Sequence, residues 1–157
     1  MSGKSKGESA VRAVVTRVKS AAVDIAGKRV GEIGQGFLVL LGVSVSDTEA
    51  QADKIADRIC GLRVFEDEDG KMNLAPDKVG ASLLIVSQFT LYADCSSRRP
   101  GFTQAAGGAI AEPLYEHCME KCRERGFHVE HGVFGADMQV SSVNDGPVTL
   151  LLDTDML

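Results

Sequence analysis

Short apolar runs of strand length, separated mostly by short turns, constrain the fold of this chain more than any other feature. Runs rich in Val, Ile and Leu and bounded by Gly, Pro, Asn or Asp predict β-strands. The predicted strands cover residues 11–18, 21–25, 29–33, 37–42, 82–86, 127–130, 138–143 and 148–152. Most of the links between these elements are of hairpin length, and the 37–42 run is apolar enough to be buried on both faces.

Two segments instead have helical spacing. Ser46 with Glu49 matches a capping box, and an apolar stripe follows it. The stripe consists of Ala52, Ile55, Ala56, Ile59 and Leu62. A second helix is predicted over about residues 111–125, with Gly126 in the usual C-terminal position. The pattern predicts a single α+β domain with a curved or barrel-like, mostly antiparallel sheet and two main helices.

Composition excludes several classes of protein. The net charge of −5 argues against a protein that coats nucleic acid, although a small local contact with RNA is still possible. The longest apolar run, residues 37–45, is far shorter than the ~20 residues of a membrane helix. Residues 1–10 lack the apolar segment of a secretory signal, so we expect a cytosolic protein without a membrane partner.

The four cysteines, Cys60, Cys95, Cys118 and Cys122, are predicted to be free thiols. Cys118 and Cys122 stand four residues apart, but no second ligand pair completes a metal site. With Tyr115 and Met119 they form an apolar helical stripe instead. The histidines, at positions 117, 128 and 131, also lack ligand spacing, so we expect no metal and no cofactor.

The Gly146-Pro147 pair interrupts what is otherwise a strand pattern. Proline cannot donate to a sheet ladder, and glycine there loses packing and costs backbone entropy. The pair therefore predicts a turn between runs 138–143 and 148–152 whose backbone has a functional role. The bond between them is also one where a cis peptide costs only about 0.5–1 kcal/mol.

A second candidate region is the end of the 82–86 strand, where Ser87, Gln88 and Thr90 follow one another closely. Such side chains either line a pocket or form ordinary strand-end hydrogen bonds, and the pattern does not decide between the two. Thr90 is a possible nucleophile, but no base stands near it in sequence. On an RNA substrate, a hydroxyl of the ligand itself would fill that role.

Four segments of the chain together resemble one family, the D-aminoacyl-tRNA (D-tyrosyl-tRNA) deacylases. They lie at residues 12–18 (RAVVTRV), 65–74 (FEDEDGKMNL), 87–94 (SQFTLYAD) and 134–140 (FGADMQV), the last leading into 144–149 (NDGPVT). The resemblance runs from Val11 to about Asp153. The segment 95–101 is poorer in Lys and Gly than is usual in the family.

The resemblance implies a homodimer that hydrolyses the ester between a D-amino acid and the terminal adenosine of tRNA. Gly146 and Pro147, joined by a cis bond, would reach from one subunit into the other's active site and reject L-amino acids. Glycyl esters, including glycine mischarged on tRNA-Ala, would pass this filter because they carry no side chain.

The resemblance also implies roles for individual residues. Ser87, Gln88, Phe89 and Thr90 would line the reacting ester, with backbone N–H groups stabilising the oxyanion. The terminal adenine would be held by Phe134 and Met138. Thr90 is either the nucleophile or a residue that shapes the site while the ribose 2′-hydroxyl activates water.

The domain is thus expected to span residues 11–157, with residues 1–10 as an extension without fixed structure. Two other functions are compatible with this pattern. One is a non-catalytic nucleic-acid-binding module on the same fold. The other is a general hydrolase of small esters that needs no RNA.

Overall fold

The computed structural model describes residues 10–157. The predicted extension, residues 1–10, lies outside the described residues except for Ala10, which is buried in the domain. The described chain has eight strands, two α-helices and three short 3-10 helices. The strands are β1 (Arg12–Ile25), β2 (Lys28–Ile33), β3 (Gly36–Gly42), β4 (Phe65–Glu66), β5 (Met72–Leu74), β6 (Ser82–Ser87), β7 (Val129–His131) and β8 (Gln139–Asp153). The α-helices are α1 (Glu49–Gly61) and α2 (Gly108–Glu124), and the 3-10 helices are Pro76–Val79, Phe89–Tyr92 and Thr154–Met156.

Six strands form the main sheet, in the order β2-β1-β3-β6-β7, with β8 also paired to β1. The first half of β1 pairs with β3 and its second half with β2, while β8 follows its opposite edge. These pairings are antiparallel, but β3–β6 and β6–β7 are parallel. The sheet is therefore mixed, but three of its five pairings are antiparallel, which agrees with the expectation of a mostly antiparallel sheet. The two parallel pairings arise because each of their connections contains an α-helix and is long enough for a crossover.

The curved sheet nearly closes into a barrel, as predicted. Its end strands, β2 and β7, lie side by side, and the Glu32 N–H donates to the Glu130 carboxylate at 3.5 Å. At Gly31 a Cβ would lie only 2.7 Å from the His131 carbonyl oxygen. Glycine there lets the two strands approach each other.

The core lies between the curved sheet and the two helices. The β3 strand is buried along almost its whole length, as its apolar run predicts. The predicted stripe of α2, namely Tyr115, Cys118, Met119 and Cys122, is also buried and packs toward Ile55 and Ile59 of α1. All four cysteines are free thiols, and only Cys95 is exposed. Within residues 10–157 no cluster of side chains has a metal-ligating arrangement, and no helix is long and apolar enough to span a membrane.

Both helices begin at positions other than those predicted. The N-cap of α1 is Thr48, and Gln51 Oε1 accepts its N–H at 2.8 Å, so the capping box is formed by this pair and not by Ser46 with Glu49. Both pairs have the same spacing, but the intervening Asp47 is buried and accepts the Ser44 N–H at 2.6 Å, which excludes a helical start at Ser46.

The second helix, α2, begins at Gly108, three residues before the predicted start, with Gly107 as its N-cap. The sequence pattern missed this start because residues 108–110 are exposed, and the buried stripe of the helix begins only at Ala111. At the other end, Gly126 follows the helix with φ of +92°, in the predicted position.

The predicted turn at Gly146-Pro147 is absent, because β8 continues through it. The ladder between β1 and β8 is irregular there: Thr16 pairs with Thr149 and Val18 pairs with Asn144. Arg17 alone therefore lies opposite residues 145–148. The Gly-Pro pair forms a bulge within one strand, which is how a sheet accommodates residues that cannot join the ladder.

Candidate active site

A cavity of about 440 Å³ opens at the carboxyl end of β6. Its walls come from the ends of β3 and β6, the first residues of α2, and the segment that leads into β8. Five of the residues predicted for the site line it: Ser87, Gln88, Phe89, Phe134 and Met138. The structure therefore brings together residues that are separated by more than forty positions in the sequence.

The strand end and the following 3-10 helix present backbone N–H groups beside the cavity. The Gln88 N–H donates to the Leu41 carbonyl at 2.8 Å, which fixes the start of the 3-10 helix against β3. The N–H groups of Phe89 and Thr90 open that helix, and neither has a partner among residues 10–157. Unpaired N–H groups in the first turn of a helix are suited to stabilise an oxyanion.

Thr90 itself does not line the cavity and is exposed. Its Oγ1 accepts a hydrogen bond from the Gln88 side-chain amide. An amide donor cannot remove a proton, so this contact does not activate the hydroxyl as a nucleophile.

The N-terminus of α2 is a part of the wall that the sequence patterns missed. Gly107 and Gly108 both line the cavity, and no side chain caps the first turn of this 17-residue helix. Its free N–H groups carry the partial positive charge of the helix dipole, which favours negative charge in the cavity. A Gly-Gly pair at the start of a helix, here the N-cap Gly107 and the first helical residue Gly108, is the sequence signal for such an end.

The cavity lining contains no carboxylate, imidazole, ammonium or guanidinium group among the described residues. Its one titratable side chain is Tyr115, whose hydroxyl donates to the Ile85 carbonyl at 2.8 Å. Burial is the main cause that raises the pKa of Tyr115 above its ordinary value, so the phenol stays neutral. Within residues 10–157, the side chains that line this cavity therefore include no general base at neutral pH.

Phe134 and Met138 form an apolar side of the cavity. The Phe134 ring lies 6.2 Å from the Tyr115 ring, centroid to centroid, at 52°. Gly108 lies close by, since a Cβ there would be 3.4 Å from the Phe134 ring. An aromatic ring and a thioether next to a glycine wall leave a flat apolar space, which is suited to a planar ring of a ligand.

Gly146 and Pro147 do not line this cavity. Their peptide bond is cis, and both residues are exposed on β8. Gly146 has φ of +119°, and a Cβ there would lie 2.9 Å from both Arg17 Nη2 and Val148 Cγ2. Position 146 therefore requires glycine for its backbone conformation and for space.

Behind the Gly-Pro pair lies Arg17, a charged side chain that is only 5% exposed. Its Nε donates to the Asp145 carbonyl at 3.2 Å and lies 3.5 Å from Asp145 Oδ2. Its Nη1 donates to the Val64 carbonyl. Arg17 thus connects the bulge to the segment that follows α1, and it fixes the direction in which the bulge projects.

The family model for D-Tyr-tRNA(Tyr) deacylase matches residues 14–153, nearly the whole described chain. The chain belongs to the D-aminoacyl-tRNA deacylase family. As a member of this family the protein is an enzyme, a deacylase, and the family resemblance predicted from the four sequence segments is confirmed.

Curated relatives support the same assignment. The D-aminoacyl-tRNA deacylase of Thermus aquaticus is 56% identical over 145 residues, covering 92% of this chain and 95% of that protein. The one of Symbiobacterium thermophilum is 54% identical over 146 residues, covering 92% of this chain and 97% of that protein.

Two solved structures share the fold. One, named c-Myc DNA Unwinding Element Binding Protein, has a TM-score of 0.85 and 40% identity, covering 90% of this chain and 97% of that chain. The other is described as a probable eukaryotic D-amino acid tRNA deacylase, with a TM-score of 0.81. At 16% identity over 92% of this chain and 99% of that chain, the second likeness shows the fold alone.

Proposed function

We propose that the protein hydrolyses the ester bond of D-aminoacyl-tRNA in the cytosol and releases a free D-amino acid and tRNA. The observation that carries this proposal is the cavity itself, which is walled by backbone N–H groups and apolar side chains and, within residues 10–157, has no charged lining residue. Such a site suits a neutral ester whose carbonyl oxygen gains negative charge during attack. Curated relatives named for this activity, at 52–56% identity, support the assignment of the substrate.

In this mechanism the N–H groups of Phe89 and Thr90 stabilise the oxyanion. Phe134 and Met138 hold the terminal adenine, and Ser87 and Gln88 border the ester. Water is the nucleophile, and the ribose 2′-hydroxyl next to the ester activates it, because the lining supplies no base. Because the RNA hydroxyl takes this role, Thr90 is not the nucleophile and instead shapes the site.

The proposal further assigns chiral selection to Gly146-Pro147 of a second copy of the chain. Two features support it. The pair projects from the outer strand and does not line its own cavity, so another chain must bring it to the ester. In addition, among residues 10–157 β8 pairs only with β1, and it exposes Val143 and Leu151, by 55% and 82%, as expected of a strand that binds a partner.

A wall of main-chain atoms excludes an enantiomer by shape and ignores the identity of the side chain. Glycyl esters have no side chain to exclude. We therefore include glycine mischarged on tRNA-Ala among the substrates, and we expect several D-amino acids to react.

Hydrolysis of D- and L-tyrosyl-tRNA by the purified protein tests the activity. Rapid release from the D-ester with little from the L-ester is expected. Equal release from both, or none from the D-ester, would contradict the proposal. D-tyrosine ethyl ester, which has no RNA, serves as the control for a general ester hydrolase.

Mixing of two variants tests the shared site. Gly146→Ala disturbs the projecting pair and should relax chiral selection, whereas Phe89→Pro removes one N–H of the cavity and should inactivate the cavity of the chain that carries it. In a mixed dimer the active cavity of the Gly146→Ala chain faces an intact Gly146-Pro147 pair, so exchange with excess Phe89→Pro chains should suppress hydrolysis of L-tyrosyl-tRNA and keep that of D-tyrosyl-tRNA. If the mixture still hydrolyses L-tyrosyl-tRNA as Gly146→Ala alone does, the two elements act within one chain.

A non-catalytic nucleic-acid-binding function is the second candidate, since the 40% identical structure is named for binding a DNA element. The net charge of −5 weakens it. Titration of labelled double-stranded DNA beside tRNA separates the two functions: tight DNA binding by a protein that leaves D-tyrosyl-tRNA intact would favour this second candidate.

A further inference from the structure

A hairpin that lies in the chain between two lining residues of the cavity, Phe89 and Ala106, carries two arginines that the proposed mechanism does not use. Asp94 and Gly101 close it with a pair of backbone hydrogen bonds, 2.8 Å and 3.0 Å long. At its tip the Ser97 hydroxyl donates to the Arg99 carbonyl at 2.9 Å. The hairpin is therefore an ordered structure that presents Arg98 and Arg99 to solvent.

These two guanidinium groups differ from most others in the domain. Five arginines form an ion pair with a carboxylate: Arg12, Arg17, Arg29, Arg123 and Arg125. Arg98 and Arg99 form none with any residue of the described range, and they are adjacent in sequence. On a protein with a net charge of −5, two neighbouring unpaired guanidiniums mark a local site for a negatively charged partner.

An aromatic pair connects this hairpin to the cavity. Phe102 directly follows the hairpin, and its ring meets the Phe89 ring edge-on, 5.1 Å between centroids and at 68°. Phe89 lines the cavity, yet it is 54% exposed, and Phe102 is 37% exposed. The arginines precede Phe102 by only three and four residues. Exposed rings together with guanidiniums are the usual components of surfaces that bind single-stranded nucleic acid, with bases on the rings and phosphates on the cations.

The other end of this segment is also fixed beside the cavity. The Ala106 N–H donates to the Val43 carbonyl at 2.9 Å, and Val45 N–H donates to the Gln104 carbonyl at 3.1 Å. Ala106 and Gly107 then line the cavity. The hairpin is thus held on both sides by residues of the cavity wall.

From this arrangement we propose that Arg98, Arg99, Phe89 and Phe102 form a surface, here called the hairpin rim, that binds the single-stranded 3′ end of tRNA. The two arginines contact the phosphates of the nucleotides that precede the terminal adenosine. This inference rests on the proposed function, since it assumes that the terminal adenosine occupies the cavity.

The test compares the double variant R98A/R99A with a matched control, K54A/R58A. The control removes two exposed cations from α1, which contributes no residue to the cavity lining. Each protein is assayed on D-tyrosyl-tRNA and on 3′-O-D-tyrosyl-adenosine, which has no phosphate. Uncharged tRNA is titrated in parallel across a range of salt concentrations.

R98A/R99A should raise KM for D-tyrosyl-tRNA about tenfold with kcat unchanged, and the adenosine ester should react normally. The slope of log affinity against log salt should decrease by about 1.4, because two single-strand phosphate contacts are lost at about 0.7 each. The control should change none of these quantities.

Three results would overturn the inference. An unchanged KM and salt slope would show that the arginines do not contact phosphate. An equal loss on the adenosine ester would show that the hairpin shapes the cavity. A change in dimer mass by light scattering would make the hairpin a subunit contact. If the wild-type protein cleaves neither ester, the proposed function fails, and the binding of uncharged tRNA to the two double variants still decides whether the rim exists.

Discussion

The cavity wall and the Gly-Pro bulge are both surfaces made largely of backbone, but they are held in opposite ways. The wall rests on the apolar core, because the strand that carries it is buried and no lining side chain is charged. The bulge lies on an exposed strand, and a single buried guanidinium, that of Arg17, holds it from behind.

Backbone atoms outside regular strand pairing are thus fixed in two different ways. An apolar core fixes a wall through many small contacts, so no single side chain is essential to it. A bulge at the edge of a sheet lacks such contacts. It depends on a few strong hydrogen bonds to a charged group, which makes it sensitive to one substitution.

On the cavity side, the largest expected effect comes from removing one backbone donor. Phe89→Pro deletes the N–H at the first position of the 3-10 helix, where proline is compatible with the backbone. If that N–H stabilises the oxyanion, kcat should fall about 100- to 1000-fold relative to Phe89→Ala, which keeps the donor and removes the ring. Single-turnover hydrolysis of D-tyrosyl-tRNA measures this difference. Equal rates for the two variants would refute a role for this donor.

On the bulge side, Arg17→Met should lower the free energy of unfolding by about 3 kcal/mol, because it leaves the Val64 and Asp145 carbonyls without their donor. Arg12→Met is the matched control on the same strand. Its Nε also binds a carboxylate of β8, Asp153 at 3.0 Å, but both side chains are about a quarter exposed, so we expect a loss of about 1 kcal/mol.

Urea denaturation measures both losses. Hydrolysis of L-tyrosyl-tRNA should increase in Arg17→Met and stay low in Arg12→Met, since only the first releases the bulge. If the two variants lose the same stability and keep the same chiral selectivity, the bulge does not depend on Arg17.

We also expect the free energy of unfolding to depend on pH in the alkaline range, because of a buried thiol in α2. Hydrogen bonding to Cys118, followed by burial, raises the pKa of Cys122 to about 12. An unfolded thiol titrates near 8.5, so the folded state binds the proton more tightly. This stabilising contribution is complete below pH ~8.5 and is lost as the pH rises toward 12.

In reducing buffer, the unfolding free energy of the wild-type protein should therefore fall between pH 8 and pH 10. Cys122→Ala should reduce that fall by about 1–2 kcal/mol, whatever its stability at pH 8. Cys95→Ser, at the exposed cysteine, is the control and should leave the fall unchanged. An identical pH dependence in all three proteins would exclude the thiol as its source.

The same contrast explains which parts of the structure could be predicted from the sequence. The runs that became β3 and β6 and the stripe of α2 are local patterns with a fixed period, and burial follows from them directly. The parallel pairing of β3, β6 and β7 depends on which strands meet in space, and hairpin-length reasoning missed it although the links contain α1 and α2.

In the candidate site, the strand end at Ser87 could be located from sequence because polar residues follow an apolar run. The α2 N-terminus at Gly107 could not, since only the tertiary fold places it beside β6. The Gly-Pro pair predicted a break in the strand, but the sheet accommodates it as a bulge, in which the Arg17 side chain donates to the Asp145 carbonyl.

The smallest effect is expected at Thr90, which lies next to the cavity wall. Thr90→Ala removes a hydroxyl that accepts a bond from the Gln88 amide but keeps the backbone N–H. If the RNA 2′-hydroxyl activates water, kcat should fall less than about threefold, or ~0.7 kcal/mol. D-tyrosyl-tRNA that ends in 2′-deoxyadenosine should then be inert with the wild-type protein. The opposite pair of results, an inactive Thr90→Ala and a reactive deoxy substrate, would make Thr90 the nucleophile and would require a base from outside this cavity lining.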